Sequence, residues 1–77
     1  MSEKLKEIIA YQLNCDADEI TAVTNFKDDL GADSLDLFEL VMALEDAYEI
    51  EIAAEELAEI ATVGDVLDFL ADKGIEV

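Results

Sequence analysis

Apolar residues in this chain recur at helical spacing in three separate blocks, and nowhere do they alternate long enough to make a strand. Leu5, Ile8, Ile9 and Leu13 stand at i, i+3, i+4 and i+8, the mark of one buried helix face. Counting about 100° per residue from Leu37, the side chains of Leu40, Val41, Leu44 and Tyr48 fall within about 60° of it. Val63, Val66, Leu67 and Leu70 form the third block. The alternation Ile50-Glu51-Ile52 is too short to compete. Such a chain must bury its stripes by packing helix on helix.

The boundaries are written in capping residues. Ser2 is a good N-cap for the first helix, Glu3 suits its first turn, and Asn14 tolerates the left-handed conformation that stops it. Asp33 should cap a second helix from Ser34 to Tyr48, with Asp36 at N3 giving an imperfect capping box. A short third helix is expected over Ala54 to Ile60. Thr62 with Asp65 opens the fourth, and Gly74 stops it. The long first connection, Asn14 to Asp33, should carry short helical turns or a function. Val23, Phe26 and Leu30 are its expected core anchors, and Cys15 and Ile20 its apolar plugs. The expected fold is all-α: a small four-helix bundle with a long loop between helices I and II and a short helix III. Residues 1-77 form a single domain in this reading. A chain this short buries only about 60% of its unfolded surface. It has room for a thin core and none for a deep enclosed active site.

Charge excludes whole classes of function. The chain has 21 Asp+Glu against 4 Lys+Arg, a net charge of -17, all the basic residues being lysines. Nucleic acid needs a basic footprint that is missing here, and an anionic membrane surface is excluded on the same ground. Basic proteins are the natural partners, because opposite potentials steer encounter. Self-repulsion favours a monomer. The single cysteine, Cys15, permits no internal disulfide, and no signal peptide or membrane span is readable, so a cytoplasmic location is expected. His and Arg are absent, which removes the usual general base and the bidentate oxyanion clamp. The expectation is a protein without catalytic residues.

Ser34 is the residue with chemical promise. At N1 its hydroxyl is not needed for capping, the first-turn N–H groups are nearby, and Gly31 lets the preceding chain turn away. Asp-Ser-Leu alone is too common to carry that reading. A second apolar stripe, Leu35, Phe38 and Met42, lies away from the core face, with Glu39, Glu45, Asp46 and Glu49 on or beside it. Three exposed apolar residues at helical spacing are a contact-site pattern, although single ones are ordinary. Asp16, Asp18 and Glu19 open like a calcium loop, but Thr21 and Lys27 stand where Gly and Glu are required, so no dedicated metal site is expected.

The run from Asp29 to Asp36 (DLGADSLD), continued by Glu39-Leu-Val-Met42 and Leu44-Glu45, closely resembles the acyl carrier proteins of dissociated (type II) fatty acid synthesis. The similarity extends over nearly the whole chain. It implies that Ser34 carries 4′-phosphopantetheine, installed from coenzyme A by a holo-acyl-carrier-protein synthase, and that the arm's thiol holds growing acyl chains as thioesters. It further implies that Asp33, Leu35, Asp36, Phe38, Glu39, Met42, Glu45 and Asp46 meet basic patches on fatty acid synthesis enzymes. Phe26, Leu44, Ile52, Ile60 and Ala61 are the expected acyl-chain lining. Two departures stand out: Ala53 where the family often has Pro, and Leu37-Phe38 where a smaller pair is common. The alternatives are a specialised carrier for polyketide, peptide or D-alanine chemistry, and an acidic calcium-binding or interaction module with no covalent arm.

Overall fold

In a computed structural model describing residues 2–76, four α-helices form in the expected order: α1 (Glu3–Leu13), α2 (Ser34–Tyr48), α3 (Ala54–Ala58) and α4 (Val63–Asp72). The caps are those written in the sequence. Ser2 Oγ accepts from the Leu5 N–H, and Asn14 ends α1 at φ 54°. The α2 capping box is complete rather than imperfect: Asp33 Oδ1 accepts from the Asp36 N–H at 2.9 Å, and Asp36 Oδ2 accepts from the Asp33 N–H at 3.1 Å. An aspartate at N3 is long enough here because the Asp33 backbone is extended and brings its N–H toward the first turn. Gly74 turns the chain after α4 at φ 81°.

All three periodic blocks face one core. Leu5, Ile9, Leu37, Leu40, Val41, Leu44, Val63, Val66 and Leu70 are buried in it, joined by Ile20 and Phe26 from the long connection and Ile60 from the α3–α4 turn. Burying such side chains contributes about 1.5–3 kcal/mol each, set against the ordering entropy of so short a chain.

The long connection is organised rather than slack. A single 3-10 turn spans Ala17–Glu19, capped by Asp16. Further on, the segment is stitched to the start of α4. The Phe26 N–H donates to Ala61 O at 3.0 Å, the Val63 N–H to Thr24 O at 2.9 Å, and the Gly64 N–H to Ala22 O at 2.7 Å. Asn25 and Thr62 form an isolated antiparallel bridge within this seam. One expected anchor is overturned: Val23 is 84% exposed, and Thr24 is buried instead. Thr24 Oγ1 accepts from the Thr21 N–H at 2.9 Å, so the turn closes on the threonine and leaves Val23 at its tip. The third helix is also shorter than expected. It ends at Ala58 because Glu59 and Ile60 donate back three residues, to Glu56 and Leu57, winding the chain into a tighter turn.

Candidate functional site

Ser34 is the first residue of α2 and is exposed. Asp33 does the capping, so the Ser34 hydroxyl is outside the reciprocal bonds that close the helix start. Gly31, at φ 66°, sets the turn that delivers the chain to this point; a Cβ there would meet no atom, so conformation rather than space selects glycine. Beside Ser34 lies a cavity of about 260 Å³, walled by Leu37 of α2, Ala54, Leu57 and Ala58 of α3, Ile60, and Lys27 from the long connection. An exposed hydroxyl thus lines a largely apolar hollow.

Of the five residues expected to line an acyl site, Ile60 is in this wall. Phe26 and Leu44 are buried in the packed core, Ile52 is half-buried just before α3, and Ala61 is exposed while its carbonyl accepts from Phe26. Leu37, Leu57, Ala54, Ala58 and Lys27 were not legible as wall residues. Leu57 and Ile60, three apart on one short helical turn, were the available signal.

The outward stripe of α2 is present as a surface. Leu35, Phe38 and Met42 are 62%, 50% and 52% exposed. Glu39, Met42, Glu45 and Asp46 with Gln12 and Ala43 border an open groove of about 770 Å³ between α1 and α2. Ser34 is not among the walls of this larger groove, which is a shallow surface feature and encloses nothing. Three of the expected docking acids are partly committed inside the molecule. Asp33 and Asp36 close the capping box, and Glu45 Oε2 accepts from the Ile52 N–H at 3.0 Å.

Two titrating groups are displaced from their ordinary values. Asp65 is held below the usual carboxylate range, first by the Ala61 N–H and then by the Thr62 N–H that it accepts. The Cys15 thiol is pushed up by burial, with the Glu19 and Asp16 carboxylates adding to it. A protonated thiol beside two carboxylates is a packing residue rather than a nucleophile. Among the described residues no group of three or more His, Cys, Asp or Glu side chains is arranged to hold a metal ion. No described helix is long and apolar enough to cross a membrane.

An exposed serine opening a helix, in a small acidic bundle with an apolar hollow beside it, defines a carrier domain rather than a catalyst. The comparisons with known proteins agree. Residues 3–70 match the profile of the phosphopantetheine attachment site family. Acyl carrier proteins of two Clostridium perfringens strains are each 53% identical over 72 residues, covering 94% of this chain and 95% of theirs. A solved Mycobacterium tuberculosis structure, provisionally assigned as an acyl carrier protein, superposes with a TM-score of 0.84 at 41% identity, covering 92% of this chain and 95% of its own. The chain belongs to the acyl carrier proteins of the phosphopantetheine attachment family. It is a non-catalytic carrier, and its cofactor is 4′-phosphopantetheine. The site suits that group: an exposed hydroxyl can take a phosphodiester without breaking a cap, and the neighbouring hollow can receive an apolar chain.

Proposed function

We propose that Ser34 is the attachment residue and that the chain, acting as one domain over residues 1-77, carries growing fatty acyl groups for dissociated fatty acid synthesis in the cytoplasm. The observation that supports this most strongly is the pairing of an exposed Ser34 with the apolar cavity at its side. In loading, an Oγ–P bond forms as the pyrophosphate bond of coenzyme A breaks, 3′,5′-adenosine bisphosphate leaves with the bonding electron pair, and the transferase takes up the serine proton. Once bound, the arm supplies the thiol that holds acyl groups as thioesters. The protein's own work is positional. It shields part of an acyl chain against Leu37, Leu57 and Ile60 and presents the thioester to one enzyme after another. Tethering raises the local concentration of the acyl group at each partner.

The same reading gives the α2 surface its role. Leu35, Phe38 and Met42 supply apolar contact, and Asp33, Asp36, Glu39, Glu45 and Asp46 meet lysine and arginine patches on the synthase and elongation enzymes. Partners that must release the carrier at every cycle should bind it weakly, with affinity that falls as salt rises. The test is reconstitution of the loaded protein, as a monomer, with the enzymes of fatty acid elongation. Chain extension on the wild type and none on Ser34→Ala supports the proposal. Loading without extension, with acceptance by a polyketide, peptide or D-alanine enzyme set instead, overturns the pathway.

A further inference from the structure

Lys27 lines the cavity beside Ser34, and backbone bonds fix the turn that carries it. Asn25 Oδ1 accepts from the Lys27 N–H at 3.0 Å and from the Asp28 N–H at 2.9 Å, fixing the turn. Phe26, its neighbour, donates to Ala61 O on one side and accepts from the Ala32 N–H at 2.8 Å on the other. That last bond brings the chain back to within two residues of Ser34. The backbone of Lys27 is therefore held by the same seam that leads into the start of α2.

Three carboxylates close to it in sequence hold backbone N–H groups. Asp29 Oδ2 accepts from the Asn25 N–H at 2.7 Å, and Asp33 and Asp36 hold the capping box. Lys4 and Lys73 lie over the rings of Tyr48 and Phe69. Lys27 has neither kind of contact, and among the described residues its ammonium has no carboxylate partner. In a chain of net charge -17, Lys27 is a lysine that lines the same cavity as Ser34. A phosphodiester on Ser34 would otherwise sit between Asp33 and Asp36 with like charges on both sides.

The geometry points to Lys27 as a positioning residue that pairs with the phosphodiester of the arm on Ser34 and keeps the arm at the cavity mouth, so that an acyl chain enters the hollow rather than extending into solvent. This rests on Ser34 being the attachment residue. Two stages of one experiment separate the failures. Intact mass first reports whether wild type, Lys27→Gln, Lys27→Arg and Lys6→Gln each gain an octanoyl-phosphopantetheine arm; if Ser34 takes none in the wild type, the attachment reading fails before Lys27 is tested. On loaded protein, phosphorus NMR reports the phosphodiester, and methyl shifts of Leu57 and Ile60 report the share of octanoyl chain inside. An exposed ion pair is expected to shift that equilibrium by about two- to five-fold. Lys27→Gln should lower the inserted share by that factor and move the phosphorus signal. Lys27→Arg should retain both, and Lys6→Gln, which makes the same change in net charge, should leave both unmoved. Lys27 is exposed and its fold-holding bond is from the backbone, so the variants keep their structure. Equal insertion and an equal phosphorus signal in Lys27→Gln and Lys6→Gln would overturn the inference.

Discussion

Glu45 of α2 accepts a hydrogen bond from the Ile52 N–H through Oε2 at 3.0 Å, across seven residues of chain. This bond ties α2 to the connection that leads into α3. Little else fastens that short helix: Ala53 offers no side-chain cap, and the Glu56 carboxylate reaches back to the Ala53 N–H at only 3.4 Å. None of the five α3 residues is fully buried. The wall of the cavity is thus the least secured element of the bundle, in the sense that local opening is cheapest where burial is poorest. Glu45→Ala should speed hydrogen exchange at the Ile52 amide and through α3, and lower stability by about 1 kcal/mol. Unchanged exchange there would mean that the carboxylate holds nothing.

The sequence Thr62 to Asp65 carries a pH signature. Thr62 Oγ1 accepts from the Asp65 N–H at 3.2 Å, and Asp65 Oδ2 accepts from both Ala61 and Thr62. These bonds hold the folded-state pKa of Asp65 below its unfolded value, so ionised Asp65 stabilises the fold above that unfolded value, about 3.9. Wild type should exceed Asp65→Asn in stability at neutral pH by about 1 kcal/mol, after discounting for solvent. The gap should persist at about pH 5 and close only as pH falls below about 4, through the depressed pKa. Paired urea titrations across that range measure it; a gap that closes near neutrality contradicts the assignment.

Gly64 is in α4, where helix propensity alone favours alanine. Here alanine should be worse. A Cβ at Gly64 would stand 2.8 Å from Ala22 O, the acceptor of the Gly64 N–H. The obstacle is backbone, so the seam between the long connection and α4 has to shift. Gly64→Ala should cost about 1–3 kcal/mol. For a domain of this size that lowers Tm by several degrees. An unchanged or raised Tm would show that the seam yields freely.

Short-range chemistry makes much of the fold legible in the sequence. The caps at Ser2, Asn14, Asp33 and Thr62 are decided by neighbouring residues, and each stands where the sequence puts it. The core face of α2 follows from periodicity alone, because a helix fixes which side chains share a face. Val23 and Gly64 were not readable in the same way. Their roles depend on which turn of the long connection meets α4, a contact between residues about forty apart that no local pattern encodes. The cavity wall failed for the same reason. Leu57 and Lys27 come together only because α3 and the Asn25 turn are brought to one end of α2. The exposed place of Ser34 at the start of α2 was legible because one short segment decides it.

Cys15 provides an independent check on the electrostatics. Burial and the Glu19 and Asp16 carboxylates keep its thiol protonated at neutral pH. Alkylation by iodoacetamide should be slower than for free cysteine, and Asp16→Asn with Glu19→Gln should recover part of that rate. A thiol that reacts at the free rate would show that neither burial nor charge reaches it.

The most direct measurement is the intact mass of wild type and Ser34→Ala after incubation with coenzyme A and a broad-specificity phosphopantetheinyl transferase. The account predicts one phosphopantetheine added to the wild type and none to Ser34→Ala, with both proteins equally folded. A modified Ser34→Ala, or a wild type that stays unmodified under conditions that load another acyl carrier protein, would contradict it.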